Sequence, residues 1–379
     1  MNSRATPINV LHILEDYSEI AGGIPRVVRE ITKYLASDHL QMKVLHAKGD
    51  SLMPNVTPSP PSRIGYAWSW NPNLKKDIST LVAPLSNPTI LHIHGTWSSP
   101  QLLGAKISSR LNMPFILSSH GMLEPWLWNQ QGLSVKLKKS LYWNLFAYPC
   151  FSEAKIIHAI TPLEQSHLYK LFPKNRIEII PNAIDTESSK ISVDNKDFSP
   201  EKILLFVGRV EPKKGVDLLI SGFSKAKLPD DWRLVIIGPV WSQEYQRVLT
   251  KLVEKEGLEN KVIFKGPLFG TDKEVWMRKS WVMAAPSHSE VMGLVNLEAA
   301  VHHLPSITTF ETGLYDWNEG GGILISPNID EIAKTLQIAS SWSISERKER
   351  GCASYRLVDS RYSWKSIKPA WEELYSEII

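Results

Sequence analysis

Two glutamates, Glu290 and Glu298, stand eight residues apart in PSHSEVMGLVNLEAAVHHLP, with Gly293 between them and a helix predicted over 294–302. That spacing puts Glu290 in the loop before the helix and Glu298 inside it, close to the end where backbone N–H groups are free. Carboxylates accept from sugar hydroxyls and a helix N-terminus holds an anion, so the pair suits a polyhydroxylated ligand that carries phosphate. One glutamate alone would be ordinary dipole compensation. Upstream, a strand predicted over 203–208 runs into Arg209-Val-Glu-Pro-Lys213-Lys214-Gly215. An Arg fork and a Lys point charge at a strand end could clamp a diphosphate; a solvated basic loop is the alternative. A third place, EDYSEIAGGIPRVVREITKYL, sets Gly22 and Gly23 before a helix that starts near Pro25. Proline fits a first helical turn, and two glycines let the backbone approach a phosphate at the helix end. The third glycine of the dinucleotide fingerprint is missing, and a plain tight turn is the alternative.

All three places lie where a strand gives way to a helix, and in open parallel sheets ligands bind beyond the carboxyl ends of strands. Short β-branched runs alternate with helix-length amphipathic stretches along the whole chain, the pattern of βαβ units. Strands are predicted at 8–14, 42–46, 90–94, 115–118, 156–160 and 177–180, then at 203–208, 234–238, 262–264, 282–285, 306–308 and 323–325. The stretch 48–70, rich in Pro and Ser and without periodicity, is read as a long loop. With 379 residues and roughly 150 residues per domain, two or three domains fit, and the repeated pattern makes it two. The fold class is α/β, with doubly wound domains in series. The first covers 1–183, a polar linker 184–201, the second 202–357, and a C-terminal helical region 358–379. Trp364, Ile367, Trp371, Leu374, Tyr375 and Ile378 form a helical stripe there. Pro369 would kink that helix or mark its start, and either domain could receive it, including the N-terminal one.

Composition excludes several classes. Hydrophobic residues at 43% and charged residues at 22% rule out disorder and fibrous repeats. Two distant cysteines, Cys150 and Cys352, make neither a disulfide framework nor a thiolate zinc site and fit a reducing cytosol. No apolar run reaches the ~18 residues of a membrane span, and the first residues do not read as a signal peptide. The net charge of +4 is uneven: residues 1–185 hold 18 Lys and Arg against 12 Asp and Glu, and the remainder 25 against 27. The cations form no stripe and no reader motif accompanies them, so nucleic acid is not an expected partner.

Arg209, Lys214, Glu290 and Glu298 together resemble the glycosyltransferases of family 4 (glycosyl transferases group 1), retaining enzymes of the GT-B fold. Their donor half carries an Arg and a Lys five apart, then a Glu, seven residues and a second Glu. The resemblance extends over the Gly-Gly loop, IPNAID, FVGRVEPKKG, LVIIGP and PSHSEVMGLVNLEAA, and SSHGMLEPW resembles a motif of the acceptor half. It implies two Rossmann-like domains facing each other across a cleft, an N-terminal acceptor side and a C-terminal nucleotide-sugar donor side. It also implies transfer of a sugar from a nucleotide-diphosphate sugar to an acceptor hydroxyl with retention, with no cofactor and no metal, in polysaccharide or glycolipid assembly. Arg209 and Lys214 would then neutralise the leaving diphosphate, Glu298 hold the ribose, and Glu290 with the N–H groups of Met292, Gly293 and Leu294 orient the sugar. Gly22 and Gly23 would approach the diphosphate, and His120 would contact the donor near the reacting carbon. The chain departs from the family at Val291-Met292-Gly293, where Gly-Phe-Gly or Asn-Phe-Gly is usual, and at Ala183, where a Gly often follows the Asn. A non-catalytic nucleotide-sugar binding protein is the alternative, and a Rossmann oxidoreductase a more distant one.

His92 and His94 share a strand face in LHIHGTW; two such histidines could ligate a metal, but no third ligand sits near them in sequence. His94, Trp97 and Trp126 are acceptor-side candidates, the tryptophans as faces for a sugar to stack on. The stretch from Leu133 to Tyr148, LSVKLKKSLYWNLFAY, joins Lys136, Lys138 and Lys139 to an apolar face. It reads either as a basic helix lying on an anionic bilayer, which suits a lipid-linked sugar acceptor, or as a core helix with a solvated lysine edge. The expected location is the cytoplasm, with the inner face of the membrane as the peripheral option.

Overall fold

A computed structural model describes residues 6–18, 21–49, 55–64, 66–82, 87–125, 132–187 and 200–379. The chain forms two compact units, Met1–Ala183 with Ile367–Ile379, and Ile184–Ser366. The expected domain end at 357 would cut the helix Ile344–Arg361, which stays whole within the second unit. The last helix, Trp364–Ile378, contains Pro369, and all six residues of its apolar stripe are buried.

In the first unit the strands are β1 Ile8–Asp16, β2 Leu40–Lys48, β3 Val56–Pro58, β4 Thr89–His94, β5 Phe115–Ser118, β6 Ile156–Ala159 and β7 Ile177–Ile179. They make one parallel sheet in the order β3-β2-β1-β4-β5-β6-β7. β3 lies within the stretch read as a loop; three residues ending in Pro58 can serve only at an edge, where proline breaks no inner ladder. Central strands such as β1 are covered on both faces and therefore read as nearly continuous apolar runs.

The register carries a consequence for the histidines. His12 of β1 is paired with His92 of β4, His94 with Ser118 of β5, and Ser118 with His158 of β6. Side chains alternate along a strand, so all five lie on one face of the sheet. The last helix covers that face with Trp371 and Tyr375.

The second unit has β8 Ile203–Val207, β9 Arg233–Ile237, β10 Val262–Gly266, β11 Val282–Ala285, β12 Ser306–Thr309 and β13 Ile323–Ile325. They too form a parallel sheet, in the order β10-β9-β8-β11-β12-β13. Its core packs Phe206, Leu219, Phe223, Trp232, Leu234 and Trp281. In each sheet the strand order reverses once about neighbouring strands, β1 with β4 and β8 with β11. Those are the switch points at which doubly wound sheets bind ligands.

Candidate active site

At the switch point of the second unit, the loop after β8 and the loop after β11 converge. Gly215 has φ +66, and a Cβ on it would stand 2.2 Å from the Pro286 carbonyl oxygen, so only glycine permits the approach. The Lys213 carbonyl accepts from the His288 N–H at 2.8 Å, which ties the two loops together. Lys214 Nζ then reaches Glu290 Oε2 at 2.9 Å. Burial opposes ionisation of Glu290, but the Lys214 ammonium, hydrogen bonds from Ser287 and Lys214, and the nearby Lys213 hold its carboxyl below the usual range. Lys213 is also lowered, first by burial and then by the adjacent Lys214, so its ammonium sits below the ordinary lysine value. Arg209 points outward, 55% exposed, with Nη2 3.1 Å from Glu211 Oε1.

Glu298 lies within the helix Leu294–Val301, buried, with Lys273 Nζ 2.8 Å from its Oε2. Lys273 comes from the neighbouring helix Gly270–Lys279, and nothing in its local sequence marks it as a site residue. The three backbone donors named beside Glu290 are not equally available. Gly293 donates to the Thr312 carbonyl at 2.9 Å and Leu294 to the Met292 carbonyl at 2.9 Å. Among the described residues the Met292 N–H alone of the three makes no hydrogen bond. The sequence-based expectation that all three face a ligand is corrected: Gly293 and Leu294 hold the turn.

At the switch point of the first unit, Gly22 adopts φ 99 and ψ −144 at the start of the helix Gly23–Leu35, which has no side-chain cap and no acidic residue in its first turn. A Cβ on Gly22 or Gly23 would meet nothing within 4 Å, so open space lies before the free N–H groups.

His120 follows β5 in the left-handed region, φ 49, a conformation that costs a non-glycine residue about 1 kcal/mol or more. The loop is pinned by Glu164, a buried carboxylate that accepts from Ser119 Oγ at 2.6 Å, Gly121 N–H at 2.8 Å and Ile160 N–H at 2.8 Å. In sequence Glu164 reads as the acidic member of a Thr-x-x-Glu capping box. Thr161 does cap the helix Pro162–Leu171, but the Glu164 side chain serves the His120 loop.

His94 was expected at a ligand surface, but it is buried with both ring nitrogens engaged. His94 Nδ1 lies 2.8 Å from His120 Nε2, and His94 Nε2 lies 2.9 Å from His12 Nδ1. His12 also supplies what the sequence lacked, a third histidine, since ligand atoms of His12, His92 and His94 lie within 4.8 Å of one another. The ring nitrogens of His92 and His94 are all committed to hydrogen bonds, so a cation there would have to displace the network. Trp97 donates its indole N–H to the Met122 carbonyl at 3.0 Å and packs on Tyr142 and Trp143. Trp126 lies outside the described residues.

From Leu133 onward the basic stretch is helical to Tyr142, continues as a π-helical turn Trp143–Ala147, and ends in Tyr148–Phe151. It has two apolar faces. Trp143, Ala147 and Phe151 enter the core, while Leu137, Leu141, Leu145 and Phe146 are each more than half exposed.

Two families match consecutive parts of the chain, Glycosyltransferase Family 4 at residues 21–188 and Glycosyl transferases group 1 at 187–350. A D-inositol 3-phosphate glycosyltransferase of Xylanimonas cellulosilytica is 25% identical over 236 residues, 58% of this chain and 56% of that protein. An uncharacterized glycosyltransferase of Methanocaldococcus jannaschii is 24% identical over 302 residues, 76% of this chain and 74% of that protein. The match thus spans little more than half of the first relative's length. Among solved structures, sucrose-phosphate synthase of Thermosynechococcus elongatus has a TM-score of 0.75 at 18% identity, over 97% of this chain and 98% of that one. Anabaena HepE, solved with UDP and glucose, has a TM-score of 0.74 at 18% identity, over 97% and 99%. These neighbours share the GT-B fold with the present chain. Its two halves, each matched by one of the two families, place the chain among the glycosyltransferases of family 4, the glycosyl transferases group 1.

Proposed function

We propose that the protein transfers a sugar from a nucleotide-diphosphate sugar to an acceptor hydroxyl with retention of configuration. The observation that carries the reading is the Lys214–Glu290 pair at 2.9 Å, with Arg209, Lys213 and Glu298 around the same switch point. Arg209 and Lys214 are assigned to the diphosphate. As the bond from the anomeric carbon to the phosphate oxygen breaks, negative charge grows on that oxygen, and fixed cations there lower the barrier. Glu290 and the Met292 N–H are assigned to the sugar hydroxyls, Glu298 to the ribose, Gly22 and Gly23 to backbone contact with the diphosphate, and His120 to the donor sugar.

No carboxylate is placed as a covalent nucleophile, so attack comes from the face the leaving group departs. The acceptor oxygen bonds to the anomeric carbon and its proton passes to the departing phosphate. In this reading the lysines and the arginine supply the positive charge that a metal would otherwise bring. The acceptor side is proposed to handle a sugar or lipid-linked sugar, in polysaccharide or glycolipid assembly. Leu137, Leu141, Leu145 and Phe146 would rest on an anionic bilayer beside Lys136 and Lys138, with no acidic residue from 125 to 152 to oppose them. The membrane contact proposed is peripheral, on the cytoplasmic face; among the described residues no helix is long and apolar enough to cross a membrane.

The test is a panel of nucleotide-diphosphate sugars screened by thermal shift and by release of nucleoside diphosphate. Proton NMR of the first sugar product then reads the anomer. Retention is expected; an inverted product at early times refutes the mechanism, and binding without any turnover favours the non-catalytic alternative.

A further inference from the structure

Two hydrogen-bond chains cross the buried histidine face of the first sheet, and chemistry fixes the direction of each. In one, His158 Nε2 lies 2.8 Å from the Ile180 carbonyl oxygen, which can only accept, so His158 carries its proton on Nε2. Its bare Nδ1 accepts from Ser118 Oγ at 2.7 Å, and Ser118 Oγ accepts from His92 Nε2–H at 2.8 Å. His92 Nδ1 is then bare and accepts from the Tyr375 hydroxyl at 2.8 Å. Every member is satisfied with both imidazoles neutral.

The second chain runs His12 Nδ1, His94 Nε2, His94 Nδ1, His120 Nε2, and at its other end is a buried His12 Nε2 that has no partner among the described residues. It can point two ways. If His120 donated inward, the last proton would sit on His12 Nε2 as a buried N–H with no acceptor. If His12 donates outward, His12 Nε2 is only an unused lone pair. Orphaned buried donors are the rarer and costlier of the two, so the protons lie on His12 Nδ1 and His94 Nδ1. His120 Nε2 then accepts, and the remaining proton of neutral His120 is on Nδ1, which makes no hydrogen bond among the described residues.

We propose that His94, backed by His12, is a positioning residue that fixes His120 as the neutral Nδ1–H tautomer, so that His120 offers an N–H donor, not a base, to an oxygen of the nucleotide sugar. The ligand part of this rests on the donor reading above; the tautomer itself does not. Protonating His120 on Nε2 requires every proton of the chain to shift inward and strands one on His12. Burial accordingly holds His120 and His12 at about 3. His120 therefore stays neutral through the range in which an ordinary histidine titrates.

The direct test uses the unmodified protein labelled with ring-¹⁵N histidine. Long-range proton–nitrogen correlation spectra at pH 7 and pH 5.5 are assigned with a His120→Asn variant. A protonated Nδ1 and a bare Nε2 on His120, unchanged between the two pH values, is the expected result. An Nε2–H tautomer, or an imidazolium at pH 5.5, overturns the proposal whatever the enzyme's activity. The kinetic arm compares His94→Leu with His94→Asn, whose amide can still donate to His120 Nε2. With the donor found in the screen, His94→Leu is expected to lose roughly 10- to 100-fold in kcat/KM and to acquire a pH dependence near the ordinary histidine value. His94→Asn is expected to recover most of the rate and a flat profile. Equal losses with flat profiles in both variants would reduce His94 to packing and overturn the positioning role.

Discussion

Lys214 Nζ and Glu290 Oε2 lie 2.9 Å apart although 76 positions separate the residues in the chain. The contact exists because Gly215 lets the two loops touch at Pro286. A cation and a carboxylate joined in this way act as a unit. Lys214→Ala should lower turnover roughly 10²- to 10³-fold, the usual loss for one group facing developing charge. Glu290→Gln should cost less alone, and the double variant should lose less than the product of the two single losses. Steady-state kinetics of all three decide it, and strict multiplicativity would dissolve the pair.

Gly215→Ala should damage the same site without removing any charged group. The added Cβ would collide with the Pro286 carbonyl at a left-handed φ. Loss of turnover together with a lower urea midpoint is expected. Wild-type kinetics would mean that the loops do not meet as described.

Glu164→Gln should loosen the His120 loop. A carboxylate accepts from Ser119, Gly121 and Ile160 together, whereas an amide turns one acceptor into a donor facing another donor. The expected loss of stability is about 1–3 kcal/mol, read as a shift of the urea midpoint, with a fall in kcat larger than any change in donor KM. An unchanged midpoint would remove Glu164 from this role.

The buried histidines set an acid limit on stability. His12 and His120 are held at about 3 and His158 at about 4 by burial, with His92 and His94 also well below the ordinary value of 6.5. Between those values and 6.5 the unfolded chain binds more protons than the folded one. Stability is therefore fully present above about pH 6.5 and falls as the pH drops below it, each histidine contributing a loss of about 1.4 kcal/mol by one pH unit lower. Urea midpoints at pH 7.5, 6.5 and 5.5 should show a steep fall at the last. An identical midpoint at pH 5.5 and 7.5 would mean the imidazoles are not buried neutral.

If the exposed Leu137, Leu141 and Leu145 rest on lipid, the protein should sediment with vesicles containing anionic lipid at low salt and leave them at high salt. Lys136→Glu with Lys138→Glu should abolish binding while donor hydrolysis in solution continues. No sedimentation at low salt would argue for a soluble acceptor.

Much of this was legible in the sequence because it was local. Short apolar runs such as those ending at His94, Ser118 and Ala285 marked strands, and the residues just after them marked the switch points. Glu290, Glu298, Arg209 and Lys214 could be singled out because each follows its strand at short range. His12 could not be joined to His94, since 82 positions separate them and only the parallel register of β1 and β4 brings their strands side by side. Glu164 imitated a helix cap, and Lys273 looked like any surface lysine until the helix that carries it packed beside Glu298. β3 was hidden because three residues ending in proline have no periodicity to read.

The role proposed for the cations after β8 is to stabilise a departing nucleoside diphosphate. It is tested most directly by measuring nucleoside diphosphate release from the responding nucleotide sugar by the wild-type protein and by Lys214→Ala, at matched donor saturation. Steady release by the wild type and a loss of roughly 10²-fold or more in the variant are expected. Equal rates for the two proteins would contradict it.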